Sequence, residues 1–397
     1  MITNNLEIDI IIPKVRTPWY NEEKNCTLPL VFQADINYKE FFESSMLGNV
    51  PCVIKSISKE WEASKEWVCD DKINYKYFVD VYGEFKAPVA DCNKINFNSQ
   101  CKSEMTIKDY MEYLQSSNEE NILYLKDWHL KANLKALKRS CSFYEVPNVF
   151  ASDWLNEYAE DKTEDDFQFV YIGCKNTWTP LHADVYSSFS WSVNVVGKKK
   201  WVFLPPGEEN KLKDSFGNLP LLFDQLKWNN IKYFEVIQEK GDGIFVPSGW
   251  HHQVFNLCET ISINHNFMNA CNLHIVWQAL QSTLTEVEKE IKEFESTPEY
   301  TTQCQVILKS LFGMDFQSFI NLIMHIAIKR IKQIQGENFY LFKKFIFGMN
   351  HIKFDLQSIL KVIYLIEDHP IFVNKNLPRS LILQLLNTKE NILQVVQ

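Results

Sequence analysis

The sequence predicts an α+β protein with a mainly β core, flanking helices and a C-terminal helical region. Between Phe167 and Phe267, short β-rich runs alternate with Gly, Pro and Asn, which is typical of an antiparallel barrel or sandwich. After Met268 the β-rich runs stop, and apolar residues recur at helical spacing. A chain of 397 residues, 46% of them hydrophobic, can form one large core with an accessory region.

Eight candidate strands make up the predicted core, and that number can close a small barrel. They are residues 167–172, 181–185, 190–195, 199–204, 233–237, 243–246, 253–256 and 260–266. Before the barrel we expect a helix over 37–47, a helix that begins near Thr106 and a strand over 122–125. After the barrel we expect helices over 273–294, 316–335, 355–367 and 379–396.

These elements divide the chain into three predicted regions. Residues 1–27 are polar and irregular, and we expect an extension outside the core. Residues 28–270 form the predicted main domain, with its barrel over 167–267, and residues 271–397 form the helical region. The absence of a low-complexity linker indicates that the helical region packs on the barrel.

Composition excludes several classes of protein. The net charge of -9 argues against direct binding of nucleic acid through its phosphates, which favours a basic excess. No apolar run approaches the roughly 20 residues that span a bilayer, so we expect no membrane segment. The 10 cysteines include no CxxC pair, which argues against a zinc module or a disulfide framework and favours a reducing compartment.

A histidine and an aspartate within one predicted strand form the first half of a candidate metal site. Residues i and i+2 of a strand point to the same side, so His182 and Asp184 should both face the barrel interior. A second histidine from a distant strand would complete the set of two His and one carboxylate that is typical of non-haem Fe(II) oxygenases. His251 and His252 both open the strand 253–256, and because neighbouring residues face opposite sides, only one of them can be the ligand.

The segments TPLHADVYSSFSWSVNVVGKKKW and VPSGWHHQVFNLCETISINHNF resemble the jumonji-C oxygenases. This resemblance selects His252, which stands at the family's spacing before the pair Asn266-Phe267. Some jumonji enzymes place the histidine one position closer to the preceding proline, and this alternative would select His251. The resemblance implies a double-stranded β-helix of the cupin-like type, with Fe(II) on His182, Asp184 and His252, and with 2-oxoglutarate and molecular oxygen as co-substrates.

The resemblance also implies a cation for the far carboxylate of 2-oxoglutarate. Lys199 occupies that position in the pattern Gly-x-Lys-x-Trp, and strand alternation places Lys198 and Lys200 on the opposite face. The alternative is that all three lysines form a solvated basic edge. Thr179, three residues before His182, could donate a hydroxyl to the same carboxylate. Asn194 and Asn266 could add polar contacts near the metal, or could serve as structural hydrogen-bonding groups.

Within the family, the segments are most similar to lysyl hydroxylases whose implied substrate is the eukaryotic translation termination factor. The resemblance therefore implies a protein lysyl hydroxylase that acts in the cytoplasm. Two other activities use the same site: demethylation of lysine, and hydroxylation of a different protein residue. A third alternative is a binding module that has lost catalysis. The C-terminal helices could bind substrate or form a homodimer.

Overall fold

A computed structural model of the chain describes residues 6–13, 29–96, 99–116, 122–162, 166–374 and 376–396. The strands, in chain order, are β1 (Leu6–Ile8), β2 (Leu30–Phe32), β3 (Cys52–Ile54), β4 (Val68–Cys69), β5 (Lys72–Ile73), β6 (Lys86–Asn96), β7 (Ser99–Thr106), β8 (Leu123–Trp128), β9 (Gln168–Gly173), β10 (Trp178–His182), β11 (Phe189–Val196), β12 (Lys199–Leu204), β13 (Phe234–Gln238), β14 (Gly243–Val246), β15 (His251–Asn256), β16 (Thr260–Phe267) and β17 (Phe345–Phe347).

The helices are α1 (Tyr38–Phe41), α2 (Glu62–Glu66), α3 (Tyr75–Tyr82), α4 (Ile107–Gln115), α5 (Leu130–Ala136), α6 (Trp154–Lys162), α7 (Leu273–Glu290), α8 (Tyr300–Phe312), α9 (Phe316–Ile334), α10 (Met349–Glu367), α11 (Pro370–Val373) and α12 (Arg379–Val396). A π-helical turn over Phe42–Met46 continues α1, and single 3-10 turns include Val185–Ser187 and Lys292–Phe294.

Two sheets face each other and enclose the interior of the core. The larger sheet has the strand order β2-β3-β14-β11-β16-β9-β8-β6-β7, and the smaller one has the order β10-β15-β12-β13. The side chain of Lys199 on β12 donates a hydrogen bond to Ser262 on β16, so the two sheets are in direct contact across the interior. This arrangement is a double-stranded β-helix with flanking helices, which confirms the predicted fold class.

The eight predicted strands are all present, with small shifts of their ends. The largest shift concerns β10, which ends at His182 rather than at Val185. Asp184 therefore lies outside the strand, at the start of the 3-10 turn Val185–Ser187, and strand alternation does not explain its direction. The backbone of Asp184 is still extended (φ -64, ψ 150), which keeps its side chain near that of His182.

The predicted helices of the C-terminal region are also present as α7, α9, α10 and α12. Helix α8 was not expected, because its few buried apolar residues are separated by Thr, Gln and Lys. Helix α4 begins as expected, with the Thr106 side chain accepting a hydrogen bond from the backbone N–H of Asp109. Within the described residues, no single helix is long and apolar enough to cross a bilayer; α8 and α9 reach that length only together, and they meet at 68°.

The N-terminal segment packs against the helical region where the structure describes it. Strand β1 pairs in parallel with β17 of the helical region, and Ile8 and Ile10 are buried in the main core. The expectation that this extension lies outside the core is therefore wrong for residues 6–13, because two apolar side chains on one face can be buried there. Residues 1–5 and 14–27 lie outside the described part of the chain. The region limits at 27 and 270 stay predictions.

A buried arginine joins the helical region to the barrel domain. Arg330 of α9 is fully buried, and its guanidinium donates two hydrogen bonds to the carboxylate of Glu157 on α6, at 3.0 and 2.8 Å. Its Nε donates to Asp355 of α10 at 2.7 Å. Although burial by itself would raise the pKa of Glu157, Arg330 and Lys329 lower it to about 2, so this carboxylate is charged inside the core.

Loss of Arg330 should destabilise the whole chain, because the buried Asp355 would lose its arginine partner and the buried Glu157 would lose one of its two cationic partners. We expect Arg330→Ala to lower the free energy of unfolding by about 3–5 kcal/mol. Thermal and urea unfolding would measure this loss. The exposed Arg379 provides a matched control, and Arg379→Ala should stay within about 0.5 kcal/mol of the unmodified chain. Equal losses for the two variants would contradict the role given to the buried network.

Candidate active site

The three residues of the predicted metal site lie together at one end of the smaller sheet. His182 is the last residue of β10, and it lies directly opposite His252 of the neighbouring antiparallel strand β15. The two imidazole rings are 4.4 Å apart between centroids. One potential ligand atom from each of His182, Asp184 and His252 lies within 4.8 Å of the others.

The hydrogen bonds of the two histidines leave one ring nitrogen of each available. Nδ1 of His182 lies 2.8 Å from the carbonyl oxygen of Pro180, and Nδ1 of His252 lies 3.1 Å from that of Trp250. Because a carbonyl oxygen can only accept, each Nδ1 must carry the proton. The Nε2 atom of each ring is then the one that can bind a metal ion, as in metal sites whose histidines donate to backbone carbonyls.

The charge states also suit metal binding. Burial and the neighbouring His182 lower the pKa of His252 to about 4, so its ring is neutral at physiological pH. Asp184 accepts a hydrogen bond from the Ser190 hydroxyl at 2.6 Å through one carboxylate oxygen. The other oxygen remains as a ligand. Two imidazoles and one carboxylate form the donor set that non-haem Fe(II) prefers.

His251 faces a different environment from His252. Its Nδ1 lies 3.8 Å from the carboxylate of Glu209, which follows β12. In the described part of the chain, the His, Cys, Asp and Glu side chains close enough to share a metal ion include His252 and not His251. The geometry therefore favours His252 of the two alternatives left by the sequence.

A cavity between the two sheets opens beside these three residues. Its lining comprises Tyr124, Tyr171, Thr179, His182, Asp184, Ser190, Trp191, Ser192, Lys199, Trp201, His252, Val254, Asn264 and Asn266. Three of the four residues predicted to contact the co-substrate are in this set: Thr179, Lys199 and Asn266. Asn266 also donates to the hydroxyl of Ser188 at 3.1 Å.

Lys199 carries the cationic group of this cavity and is almost completely buried. Its ammonium nitrogen lies 2.5 Å from the Ser262 hydroxyl and 5.9 Å from the centroid of the Tyr171 ring. Among the described residues no Asp or Glu forms an ion pair with it. Burial without a countercharge lowers the pKa of Lys199 to about 7. An anionic ligand in the cavity would supply the missing charge.

The two neighbouring lysines point outward, as strand alternation predicts. Lys198 forms an ion pair with Glu239 at 3.0 Å, and Lys200 forms one with Glu235 at 2.9 Å. Both ion pairs lie on the outer side of the smaller sheet and are partly exposed. The alternative of a solvated edge therefore fits Lys198 and Lys200, which are partly exposed and ion-paired, but does not fit Lys199.

Asn194 is the predicted site residue that the structure separates from the cavity. Its side-chain amide is fully buried and donates to the carbonyl oxygens of Gly197 (3.4 Å) and Gln238 (3.2 Å), close to the turn between β11 and β12. It does not line the cavity. We correct the expectation of a co-substrate contact at Asn194, because its side chain holds the β11–β12 turn instead.

Sequence reasoning missed several polar groups of the cavity. Tyr124, Tyr171, Ser190, Ser192 and Asn264 all line it. The hydroxyl of Ser192 is buried and has no hydrogen-bond partner among the described residues, which leaves room for a polar ligand. Alternation along the predicted strand 190–195 could have identified both serines. The two tyrosines required knowledge of which strands face each other.

Comparison with known proteins agrees with this site. A family model described as "Cupin-like domain" matches residues 38–272. The chain is 38% identical over 373 residues to the "2-oxoglutarate and iron-dependent oxygenase JMJD4 homolog" of Drosophila melanogaster, covering 84% of this chain and 87% of that protein. It is 43% identical over 314 residues to the Mus musculus "2-oxoglutarate and iron-dependent oxygenase JMJD4", covering 74% and 73%.

A plant protein with a different named activity is also similar. The Arabidopsis thaliana "Arginine-specific demethylase JMJ20" is 35% identical over 329 residues, covering 76% of this chain and 70% of that protein. Similarity of this extent therefore accompanies both oxygenase and demethylase names. The names of these relatives therefore do not identify the residue type that this chain modifies.

Substitution of the two adjacent histidines should separate their roles. Loss of a residue that hydrogen-bonds to a metal ligand weakens metal binding by about 10–100-fold. We expect His252→Ala, which removes the ligand itself, to weaken Fe(II) binding by more than this. His251→Ala should leave Fe(II) binding nearly unchanged, because that ring does not reach the other two donors. Anaerobic competition with a coloured iron chelator measures both affinities. The opposite order would assign the site to His251.

Substitution of Lys199 should weaken 2-oxoglutarate binding. We expect Lys199→Met to weaken it by about tenfold or more, since a hydrogen bond to a charged group contributes about 1.5–3 kcal/mol. Lys198→Met removes a neighbouring charge on the outer face and should have little effect. In the unmodified protein the affinity should fall as the pH rises above about 7, because Lys199 then loses its proton. Isothermal titration calorimetry across this range measures both effects. Equal losses in the two variants would exclude Lys199 as the carboxylate partner.

Proposed function

This chain belongs to the jumonji-C family of 2-oxoglutarate- and iron-dependent oxygenases, and we propose that it hydroxylates a lysine side chain of the eukaryotic translation termination factor. The observation that carries the enzymatic part is the cluster of His182, Asp184 and His252 beside a cavity with an unpaired buried lysine. Bound Fe(II), with 2-oxoglutarate and molecular oxygen as co-substrates, supplies the chemistry that inserts an oxygen atom into a C–H bond.

In this proposal His182, Asp184 and His252 hold Fe(II), and the other cavity residues orient the co-substrate. Lys199 pairs with the far carboxylate of 2-oxoglutarate, and Thr179 donates its hydroxyl to the same group. Asn266 supplies a further polar contact. Support for these roles comes from the position of all three side chains in the lining of one cavity.

The aromatic residues on β12 would keep the metal ligands in place. The Trp201 indole stacks on the His252 ring with centroids 5.6 Å apart and an interplanar angle of 26°. Phe203 lies on the same face of β12, and its ring centroid is 5.9 Å from that of His252. Rigid apolar packing of this kind restricts ring rotation and limits the access of water.

The substrate assignment rests on similarity to one subgroup within the family. The resemblance of the two segments around the metal site to lysyl hydroxylases of the termination factor, given in the sequence analysis, supports this assignment, and so does the helical continuation after the barrel. This substrate implies action in the cytoplasm, where translation ends. Demethylation is the second candidate, favoured by the name of the plant relative. A purely binding role is less compatible with three clustered donors and a buried, unpaired Lys199.

We further propose that the C-terminal helical region forms a homodimer contact. Helix α8 leaves Val306 and Leu311 exposed by 58% and 68% respectively. Apolar side chains exposed on a surface helix are available for contact with another protein chain. Light scattering of the purified chain measures its mass in solution, and a monomer at micromolar concentration would exclude this contact.

The substrate proposal predicts a coupled reaction. We expect the protein, incubated with Fe(II), 2-oxoglutarate, oxygen and recombinant termination factor, to form succinate together with a lysine that gains one oxygen atom. Peptide mass spectrometry locates the modified residue. His182→Ala should abolish both products, because a metal ligand is lost.

Other products would identify a different activity. Loss of a methyl group from a methylated peptide would assign demethylation, because oxidation of the methyl C–H bond releases the carbon. Succinate without a modified termination factor would assign an oxygenase with another substrate. Absence of succinate in the presence of bound metal would favour the binding module.

A further inference from the structure

The turn that follows Asp184 has an unusual backbone conformation. Tyr186 has φ 59 and ψ 11, and the next residue, Ser187, has φ 51. Left-handed φ values cost free energy for residues with a β-carbon, most of all for bulky ones, and such conformations persist only where the surroundings impose them. Two in succession beside a metal ligand therefore require contacts that hold the turn.

Two of these contacts come from the barrel and fix the ends of the turn. The Ser190 hydroxyl donates to the carboxylate of Asp184, and the side chain of Asn266 donates to the Ser188 hydroxyl. Backbone hydrogen bonds join Ser187 N–H to the Asp184 carbonyl (3.1 Å) and Ser188 N–H to the Val185 carbonyl. The turn is thus short and tightly bonded, so a shift of its tip must move the residues at its ends.

The tip of the turn packs between Phe167 of the barrel domain, whose ring centroid is 5.6 Å from that of Tyr186, and the C-terminal helical region. The Tyr186 ring packs against Phe312, with centroids 6.2 Å apart, and covers Gly313 at the end of α8. A β-carbon on Gly313 would lie 2.3 Å from Cε1 of Tyr186, far inside the 3.4 Å at which ordinary contact begins. Only glycine allows the ring to occupy this place.

We propose that the contact between Tyr186 and Gly313 positions Asp184 for metal binding, so that the C-terminal helical region completes the metal site. Tyr186 and Gly313 are positioning residues, since neither is a metal ligand. The inference rests on the proposed role of Asp184 as a ligand, but is independent of the proposed substrate. A β-carbon on Gly313 would lie about 1 Å too close to the Tyr186 ring, so the ring, and with it the strained turn that follows Asp184, would have to shift.

Gly313→Ala has a closely matched control elsewhere in the helical region. Gly313 and Gly336 both have φ 98, so an alanine is equally strained at either position. Nothing lies within 4 Å of a β-carbon built on Gly336, whereas one on Gly313 meets Tyr186. Gly336→Ala therefore reports the backbone strain alone. The difference between the two variants reports the displacement of Tyr186.

The readout is the affinity for Mn(II), followed by electron paramagnetic resonance in the absence of 2-oxoglutarate and substrate. We expect Gly313→Ala to weaken Mn(II) binding by about tenfold or more, the effect of disturbing a residue that orients a ligand. Gly336→Ala should bind Mn(II) like the unmodified protein. Equal Mn(II) affinities in the two variants would overturn the inference. If the unmodified protein bound no Mn(II), the proposed metal site itself would fail.

Variants at Tyr186 test the same contact if Gly313→Ala does not fold. Tyr186→Phe keeps the ring and its contact with Gly313, so it should bind Mn(II) more tightly than Tyr186→Ala, which removes that contact. In the Tyr186→Ala background, adding Gly313→Ala should weaken Mn(II) binding no further, because the clash has been removed. A folded Tyr186→Ala variant with unchanged Mn(II) affinity, or losses that simply add, would show that the contact only stabilises the fold.

Discussion

The register of strand β15 between its two neighbours determines the geometry of the active site. On one side it sets His252 opposite His182, and on the other it sets the same residue opposite Phe203 of β12. A slip of one residue would turn His252 outward and replace it by His251, because side chains alternate along a strand. Pairing with β15 also fixes the position of Lys199 on β12, opposite Asn256. The two histidines of the site and the cationic group are thus spaced by backbone hydrogen bonds.

The helical region contributes to this geometry through buried polar contacts. Arg330 bonds to Glu157 of α6, and the adjacent Asn156 donates to the backbone carbonyl of Asn266 and accepts from Phe167 N–H. Removing these charges from water is costly, so such a network specifies one arrangement of the helices more than it adds stability. The helical region also contacts Tyr186, whose ring packs against Phe312 and Gly313. It therefore approaches the site both at β16 and at the turn that follows Asp184. It is better described as part of the enzyme core than as an appended module.

The sequence allowed the parts of this structure that depend on local periodicity to be predicted. Alternating strands, helical apolar stripes and the inward direction of Lys199 all follow from patterns within a few residues. Asp184 was placed near His182 for the wrong reason, because left-handed turn residues such as Tyr186 have no sequence signal when they are not glycine. Asn194 was misassigned since its partners, Gly197 and Gln238, depend on how the strands pair. The burial of Ile8 depends on β17, which is too distant in sequence for any local pattern to indicate.

That pairing of β1 with β17 has a consequence for the order of events during synthesis. The carboxylate of Asp9 accepts a hydrogen bond from the backbone N–H of His351, and the two residues are 342 positions apart. During translation the first strand leaves the ribosome long before its partner exists, and domains generally fold from the N-terminal side as they emerge. The barrel strands can therefore pair first, whereas β1 cannot pair until β17 has been synthesised. Gly313 and Arg330 also emerge after the barrel strands, so the contacts that they make with the barrel domain form only after those strands have left the ribosome.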